Sequence, residues 1–400
     1  MIDITYLYTG KETHSVSHRY GVSTSQKDDG HPYAIPKNAS QRRPVVVWNI
    51  TRTCNLKCLH CYNDSERKHY EGELTTSEAK QVIDDLAYFN VPAILFSGGE
   101  PLFRKDIFEL AQYATSKKIR ITLSTNGTLI NQKIASTIKE SGFSYVGISL
   151  DGTELVHDYF RGVDGAYFKT VAGIRNLIEI GQKTGLRLTL SDYTMDQIEA
   201  LFDLIEKEGI KRVCFYHLVP SGRGSEIFVL NLEKTRNAID RILEKTDELI
   251  QKGYPLEVLT VDNHVDGAYV YLKLKQKGDP RAEEVYKRII WNGGGLYSSG
   301  VGIACIDSQG NVHPDQFWTQ YNVGNVRENK FSEIWQSTTE PLLQKLRNRT
   351  NYIYGRCKPC RFFRACGGGL RIRAKIVTGD TWVSDPACYL TNEETGVYGE

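Results

Sequence analysis

Three cysteines, Cys54, Cys58 and Cys61, sit in the run Thr51-Arg-Thr-Cys-Asn-Leu-Lys-Cys-Leu-His-Cys61 and constrain this chain more than any other feature. A gap of three residues and then one of two crowds three thiolates into one short loop. Such a trio can hold three corners of a four-iron, four-sulfur cube and leave its fourth iron open to a small molecule. Electron-carrying cubes are closed by four cysteines. The spacing also departs from the paired two-residue gaps of a zinc knuckle. Structural zinc and a chance cluster are the ordinary alternatives, and the order of the later motifs argues against both.

The 400 residues allow two or more domains, and 40% hydrophobic with 24% charged residues is an ordinary globular composition. A formal charge of +2 gives no argument for nucleic acid or a membrane surface. No apolar run approaches the roughly 20 residues of a membrane span. The start, Met1-Ile-Asp-Ile-Thr-Tyr-Leu-Tyr, lacks the pattern of a signal peptide, so a cytoplasmic location is expected. The nine cysteines fall in clusters with ligand spacing, which reads as metal binding in a reducing compartment rather than as disulfides.

Residues 1–43 are polar and aperiodic and read as an N-terminal extension. From Val45, short β-branched runs at 45–50, 93–97, 119–124, 145–150, 186–191 and 212–217 alternate with amphipathic stretches. One stretch opens with the capping-box pattern Thr75-Thr-Ser-Glu78. This alternation predicts βαβ units and a parallel sheet spanning 44–225, an α/β fold whose active groups collect at the C-terminal strand ends. The Glu-, Lys- and Leu-rich stretch 226–292 reads as a helical connection, and 293–400 as a small domain carrying five cysteines.

After the second strand stands Ser97-Gly-Gly-Glu-Pro101. Its glycines allow a close backbone approach to a ligand. The third strand ends in Ser124-Thr-Asn-Gly127, the fourth in Ser149-Leu-Asp-Gly152 and the fifth in Thr189-Leu-Ser191. Hydroxyl, amide and carboxylate groups there suit a ribose and an amino acid, although Asn-Gly and Asp-Gly are equally at home in turns. The C-x3-C-x2-C loop followed by these motifs resembles the radical S-adenosylmethionine (SAM) superfamily. The resemblance implies a partial (β/α)6 barrel, with SAM chelated to the open iron and cleaved to a 5′-deoxyadenosyl radical. It also implies SAM contacts from Gly98, Gly99, Glu100, Ser124, Asn126, Ser149 and Asp151, with Arg187 and Ser191 near the methionyl carboxylate. A reductant protein such as a ferredoxin or flavodoxin is the implied electron source. His60 is expected to pack over adenine or the cube.

Near the C-terminus, Cys357 and Cys360 are followed after five residues by Cys366 and after 21 more by Cys388. Four thiolates can close a second cube completely, and tetrahedral zinc satisfies the same count. The pattern resembles the SPASM or twitch extension of radical SAM enzymes, which implies an auxiliary cube and two clusters in all. His313-Pro-Asp315 and Gly367-Gly-Gly-Leu370 stand where a further SPASM cluster would take cysteines, and Cys305 is left over.

Three stretches narrow the substrate: Pro44-Val-Val-Val-Trp-Asn49, Cys214-Phe-Tyr-His-Leu-Val219 with Ser221-Gly-Arg-Gly224, and Asn311-Val-His-Pro-Asp-Gln-Phe-Trp318. They resemble the alternative haem biosynthesis enzymes that act on the tetrapyrrole 12,18-didecarboxysiroheme. The favoured branch removes two acetates to give iron-coproporphyrin, and a d1-type haem branch removes propionates. A peptide-modifying enzyme and an iron–sulfur electron carrier are the alternatives from other classes. On this reading Arg223, Arg371 and Arg373 are candidate clamps for substrate carboxylates. His217, His313 and Cys305 are candidate catalytic groups (axial base, proton donor or hydrogen donor), and Tyr216 and Trp318 are stacking candidates.

Overall fold

The computed structural model describes residues 1–13, 43–291 and 293–398. Its centre is one mixed sheet of eleven strands in the order β1-β8-β7-β6-β5-β4-β3-β2-β9-β10-β11. The parallel part runs through β2 (Val45–Asn49), β3 (Ile94–Ser97), β4 (Ile121–Thr125), β5 (Val146–Ser149), β6 (Thr184–Leu190), β7 (Arg212–His217) and β8 (Glu257–Val261). β1 (Ile2–Asp3) pairs antiparallel with β8 and covers that edge. On the other side β9 (Ile303–Ile306) joins β2 in parallel, and β10 (Asn311–His313) and β11 (Gly324–Asn325) follow antiparallel.

Register separates the two faces, because side chains alternate along a strand. Trp48, Phe96, Leu123 and Val146 form one cross-strand row, and Leu186, Val213 and Val258 another. All are buried, and Phe215 of this face stacks on Phe202 from the helix Ile198–Glu208. The opposite, inner face is small and polar. There Ser124 neighbours Gly147, Ser149 neighbours Arg187, Arg187 neighbours Cys214, and Thr189 neighbours Tyr216.

The six expected strands are present, and the helix Thr76–Tyr88 opens with the capping box of Thr75 and Glu78. Two organisational expectations need correction. The stretch 226–292 contains β8, a seventh parallel strand hidden between the charged helices Leu232–Gln251 and Val265–Gln276. Residues 293–400 do not start a detached sheet, since β9 extends the main one with Val47 opposite Cys305. Within the N-terminal extension, residues 1–13 are fixed by Thr5, whose hydroxyl donates to Leu256 O and accepts from Val258 N. Positions 14–42 lie outside the described residues. Among the described residues no helix is long and apolar enough to cross a membrane.

Candidate active site

The cysteine loop springs from the C-terminal end of β2. Its three sulfurs each accept a main-chain or side-chain N–H. Leu56 N lies 3.4 Å from Cys54 Sγ, Ser65 N 3.4 Å from Cys61 Sγ, and Arg161 Nη1 3.6 Å from Cys58 Sγ. Asn126 Nδ2 adds a longer contact of 3.9 Å to Cys54 Sγ. Donors aimed at sulfur favour the thiolate, while burial, with the nearby Glu100 carboxylate adding to it, pushes the Cys54 thiol up to about 12. Cysteine ligands to a metal are deprotonated, and here the N–H groups that stabilise the thiolates are already in place.

The Gly-Gly-Glu turn is pressed against this loop. Gly99 N donates to Thr51 O at 2.7 Å and Glu100 N to Thr53 O at 2.9 Å. A Cβ on Gly98, whose φ is 136°, would stand 2.3 Å from Thr51 O, and one on Gly99 2.3 Å from Thr53 O. These glycines therefore serve the docking of two backbone segments. Glu100, an expected SAM contact, is held by protein donors. Its carboxylate is fully buried and accepts from Thr125 Oγ1 (2.8 Å), Asn126 N (2.8 Å) and Leu102 N (3.1 Å). Burial raises this carboxyl to about 7 against those hydrogen bonds.

Other expected SAM contacts divide in the same way. Asp151 is committed to Arg161, which donates through Nε at 2.6 Å, and to Thr189 N at 2.9 Å. Ser191 is buried and bonded to Thr194. Asn126 ties the end of β4 to the cysteine loop through Asn55 Oδ1 at 2.9 Å. Ser124, Ser149 and Arg187 lie on the inner face. Arg187 donates to Ser124 Oγ and lies over Tyr216 at 5.7 Å, and its buried Nε has no protein partner. The sequence reading overlooked Arg161 and Asn55. An arginine ending a helix whose other residues include Val156 and Phe160 is a weak signal, because its burial between Asp151 and Cys58 is set by tertiary packing.

The second cysteine set borders one cavity. Cys357, Cys360, Cys366 and Cys388 line a space of about 230 Å³ together with Phe362, Gly368, Gly369 and Leu390. Among the described residues no three His, Cys, Asp or Glu side chains converge closely enough to share a single metal ion. Four thiols bordering one cavity match the donor set that closes an iron–sulfur cube. Gly367, Gly368 and Gly369 all have left-handed φ, and a Cβ on Gly369 would sit 2.1 Å from Asp385 Oδ2.

The catalytic candidates from the sequence fare differently. His217 shares its row with Leu190 on the apolar, helix-covered face, and its Nε2 lies 2.9 Å from Asp266 Oδ2. That placement opposes a role on the inner face. His313 has both nitrogens engaged, Nδ1 with Tyr321 O at 2.6 Å and Nε2 with Asp307 at 3.3 Å, so it holds β10 rather than a ligand. Cys305 is buried on β9 and accepts from Asn49 Nδ2 at 3.6 Å. The three proposed arginine clamps hold loops instead. Arg223 donates to Cys58 O and Ser65 O, Arg371 to Thr381 O and Val383 O, and Arg373 to Asp385 and Asp262 O. Their charge satisfies buried carbonyls and one buried carboxylate. Tyr216 stays on the inner face, whereas Trp318 is core. His60 stacks on Phe160 with centroids 4.2 Å apart.

A three-cysteine loop ending a parallel strand, a glycine turn packed on it and a four-cysteine cavity define a class: the chain belongs to the radical SAM superfamily and carries an auxiliary iron–sulfur domain. The Radical SAM superfamily model matches residues 48–205, and the SPASM "Iron-sulfur cluster-binding domain" model matches 299–361. The enzyme therefore uses SAM, a four-iron, four-sulfur cluster and an auxiliary iron–sulfur cluster. Among individual proteins, the chain is 49% identical to Fe-coproporphyrin III synthase of Methanosarcina barkeri over all of both chains. It is 43% identical to pre-heme d1 synthase of Dinoroseobacter shibae, covering 88% of each. In fold it matches Streptococcus suis SuiB bound to S-adenosylmethionine with a TM-score of 0.69 at 19% identity, over 87% of this chain and 78% of that one.

Proposed function

We propose that this chain removes the two acetate arms of 12,18-didecarboxysiroheme to give Fe-coproporphyrin III. The observation that carries the reading is the full-length 49% identity to Fe-coproporphyrin III synthase. The inner face supports it: a wide, small-residue surface of Ser97, Ser124, Gly147, Ser149 and Thr189 suits a flat ring. Arg187, with its unpartnered Nε, offers an anchor for a carboxylate of SAM or of the ring fringe. SAM bound at the first cluster supplies a carbon-centred radical that takes hydrogen from unactivated carbon. Asp151 and Arg161 hold the Cys58 corner in place and Asn126 and Asn55 the Cys54 corner, and Cys357, Cys360, Cys366 and Cys388 would hold an auxiliary cluster able to supply or take up an electron. Ser124 and Ser149 are proposed as SAM contacts, with Gly98 and Gly99 shaping the wall they share. The electron source is proposed to be a ferredoxin or flavodoxin, and the compartment the cytoplasm.

The second reading, removal of propionates, rests on the 43% identity to pre-heme d1 synthase. Anaerobic incubation with SAM, reductant and 12,18-didecarboxysiroheme, followed by product mass, separates the two. Loss of two acetates is expected, loss of two propionates transfers the chain to the other branch, and an unchanged tetrapyrrole overturns both.

A further inference from the structure

A carboxymethyl arm cut from a ring by a radical step is one electron and one proton short of acetate. The proton needs a donor, and two candidates from the sequence are bonded elsewhere: His217 to Asp266, and His313 to Tyr321 O and Asp307. Asp262 is placed differently. It follows the last residue of β8, at the strand end where the active groups of a parallel barrel collect. Its φ is 68°, a left-handed conformation uncommon outside glycine, which takes it out of the alternation of the strand. Among the described residues, its buried Oδ2 has no hydrogen-bond partner. Nearby Asp315, by contrast, accepts from Ser299 Oγ and from Phe317 N.

The turn that carries Asp262 is tied to the second cysteine site. Asp262 O accepts from Arg373 Nη1 at 3.0 Å, and Asn263 Nδ2 donates at 3.1 Å to the carbonyl of Ala387, the residue before Cys388. On its other side is the inner face of the sheet. There burial raises the Tyr216 phenol to about 12, with the charges of Cys214 and Asp262 adding to it against Arg187. Burial, then the charge of Asp315, raises the Asp262 carboxyl to about 7 against the Met1 amino group, Arg373 and His217. A carboxyl raised that far holds a proton near neutral pH and can deliver it.

We propose that Asp262 is the proton donor that turns each released arm into acetate. The bond between ring carbon and arm carbon breaks, and the arm carbon keeps one of its electrons. A second electron, from an iron–sulfur one-electron reductant, completes the pair of the new C–H bond, and the proton of that bond comes from Asp262. The carboxylate left behind regains its proton from water. The proposal rests on the acetate-removing reading, so acetate and 5′-deoxyadenosine are measured side by side. Wild-type holoenzyme, Asp262→Asn and Asp262→Glu are each given SAM, dithionite and 12,18-didecarboxysiroheme, in water and in heavy water. Wild type should release acetate with a single solvent deuterium in its methyl group, at a rate that falls as pH rises through about 7. Asp262→Asn should keep 5′-deoxyadenosine within about twofold of wild type, release acetate about a hundredfold more slowly and lose the pH dependence. Asp262→Glu should restore most of the acetate. Infrared spectra of the substrate-free holoenzymes should show a protonated carboxyl band that titrates near about 7 in wild type and is missing from Asp262→Asn. If the asparagine variant fails to fold, the isotope content and pH profile of wild type decide by themselves. Tetrapyrrole that keeps its acetates in wild type would overturn the functional reading and this inference with it. Acetate without solvent deuterium, a wild-type rate that does not fall across this pH range, or equal losses of acetate and 5′-deoxyadenosine in Asp262→Asn would overturn the proton-donor role alone. So would Asp262→Asn that matches wild type.

Discussion

The two cysteine sites of this chain are built on opposite plans. Cys54, Cys58 and Cys61 leave a single loop, and the donors that complete their surroundings come from elsewhere, Arg161 from the end of a helix and Asn126 from just beyond β4. Cys357, Cys360, Cys366 and Cys388 come from two segments that would drift apart without a pin. The pin is Arg373, which donates to both oxygens of Asp385 at 2.9 and 2.7 Å while Leu370 N donates to the same carboxylate at 2.7 Å. Burial pushes the Asp385 carboxyl up, but the charge and hydrogen bonds of Arg373 outweigh it and leave it below its ordinary value. A reactive site with one open position can be written locally and tuned by its neighbours. A closed site with four ligands has to be assembled by tertiary structure.

The sharpest break of this comparison is to remove a ligand from each site. Cys54→Ala should reduce 5′-deoxyadenosine formation to background, because two thiolates cannot hold the open cube. Cys366→Ala should leave SAM cleavage measurable and abolish the altered tetrapyrrole. Chromatography of both products on the same samples checks the pair, and loss of SAM cleavage in both variants would erase the division of labour. Next in size comes the pin itself. Asp385→Asn leaves Arg373 buried without its counter-charge, which costs on the order of 3 kcal/mol. Lower thermal stability and iron lost from the second site alone, with the spectrum of the first preserved, are the expected results.

A subtler change acts on the first site through its borrowed donor. Arg161→Gln removes a cation beside Cys58, so the reduced, more negative cluster is less well stabilised. Its reduction potential should move to a more negative value in a titration followed by electron paramagnetic resonance. Asp151→Asn should shift it the other way, to a less negative value, since it removes a buried negative charge near Cys58 while Arg161 keeps its own. An unchanged potential in Arg161→Gln would show that the arginine serves packing alone.

These contrasts explain what was legible in the sequence. The six strands at 45–50 through 212–217 and the three-cysteine loop declare themselves locally, by β-branched runs and by spacing. β8 did not, because five residues between two charged helices carry too little period to stand out. The face a side chain takes was also invisible. His217 ends a strand just as Tyr216 does, yet a shift of one residue sends it to the helices and leaves Tyr216 on the inner face. For the same reason Glu100, Asp151 and the arginines at 223, 371 and 373 read as ligand groups. Each is a polar residue in a plausible place, and only the structure shows that its hydrogen bonds go to protein partners. Arg161 is the reverse case, a residue without a motif that reaches a ligand sulfur.

The smallest effect concerns the contact between the two halves of the sheet. Arg327, just beyond β11, donates through Nε to Glu78 Oε1 at 2.7 Å and so clamps the auxiliary region to the first helix of the barrel. Hydrogen bonding from Arg327, then from the Thr75 amide, lowers the Glu78 carboxyl to about 2. In an unfolded chain it titrates near 4.3. A depressed carboxylate stabilises the fold at pH above its unfolded value, and that contribution is lost as pH falls from about 4.3 toward about 2. Both side chains are about a third exposed, at 35% and 32%, so solvent screening holds the contribution to a few tenths of a kcal/mol, at most about 1. Glu78→Gln should therefore lower thermal stability slightly at pH 7, and its difference from wild type should shrink as the pH drops through this window. Following that difference, rather than either curve alone, cancels the acid lability that the cluster sites impose on both proteins. A difference that stays constant with pH would assign the loss to the Thr75 capping box, and one that shrinks equally with added salt would assign it to the ion pair.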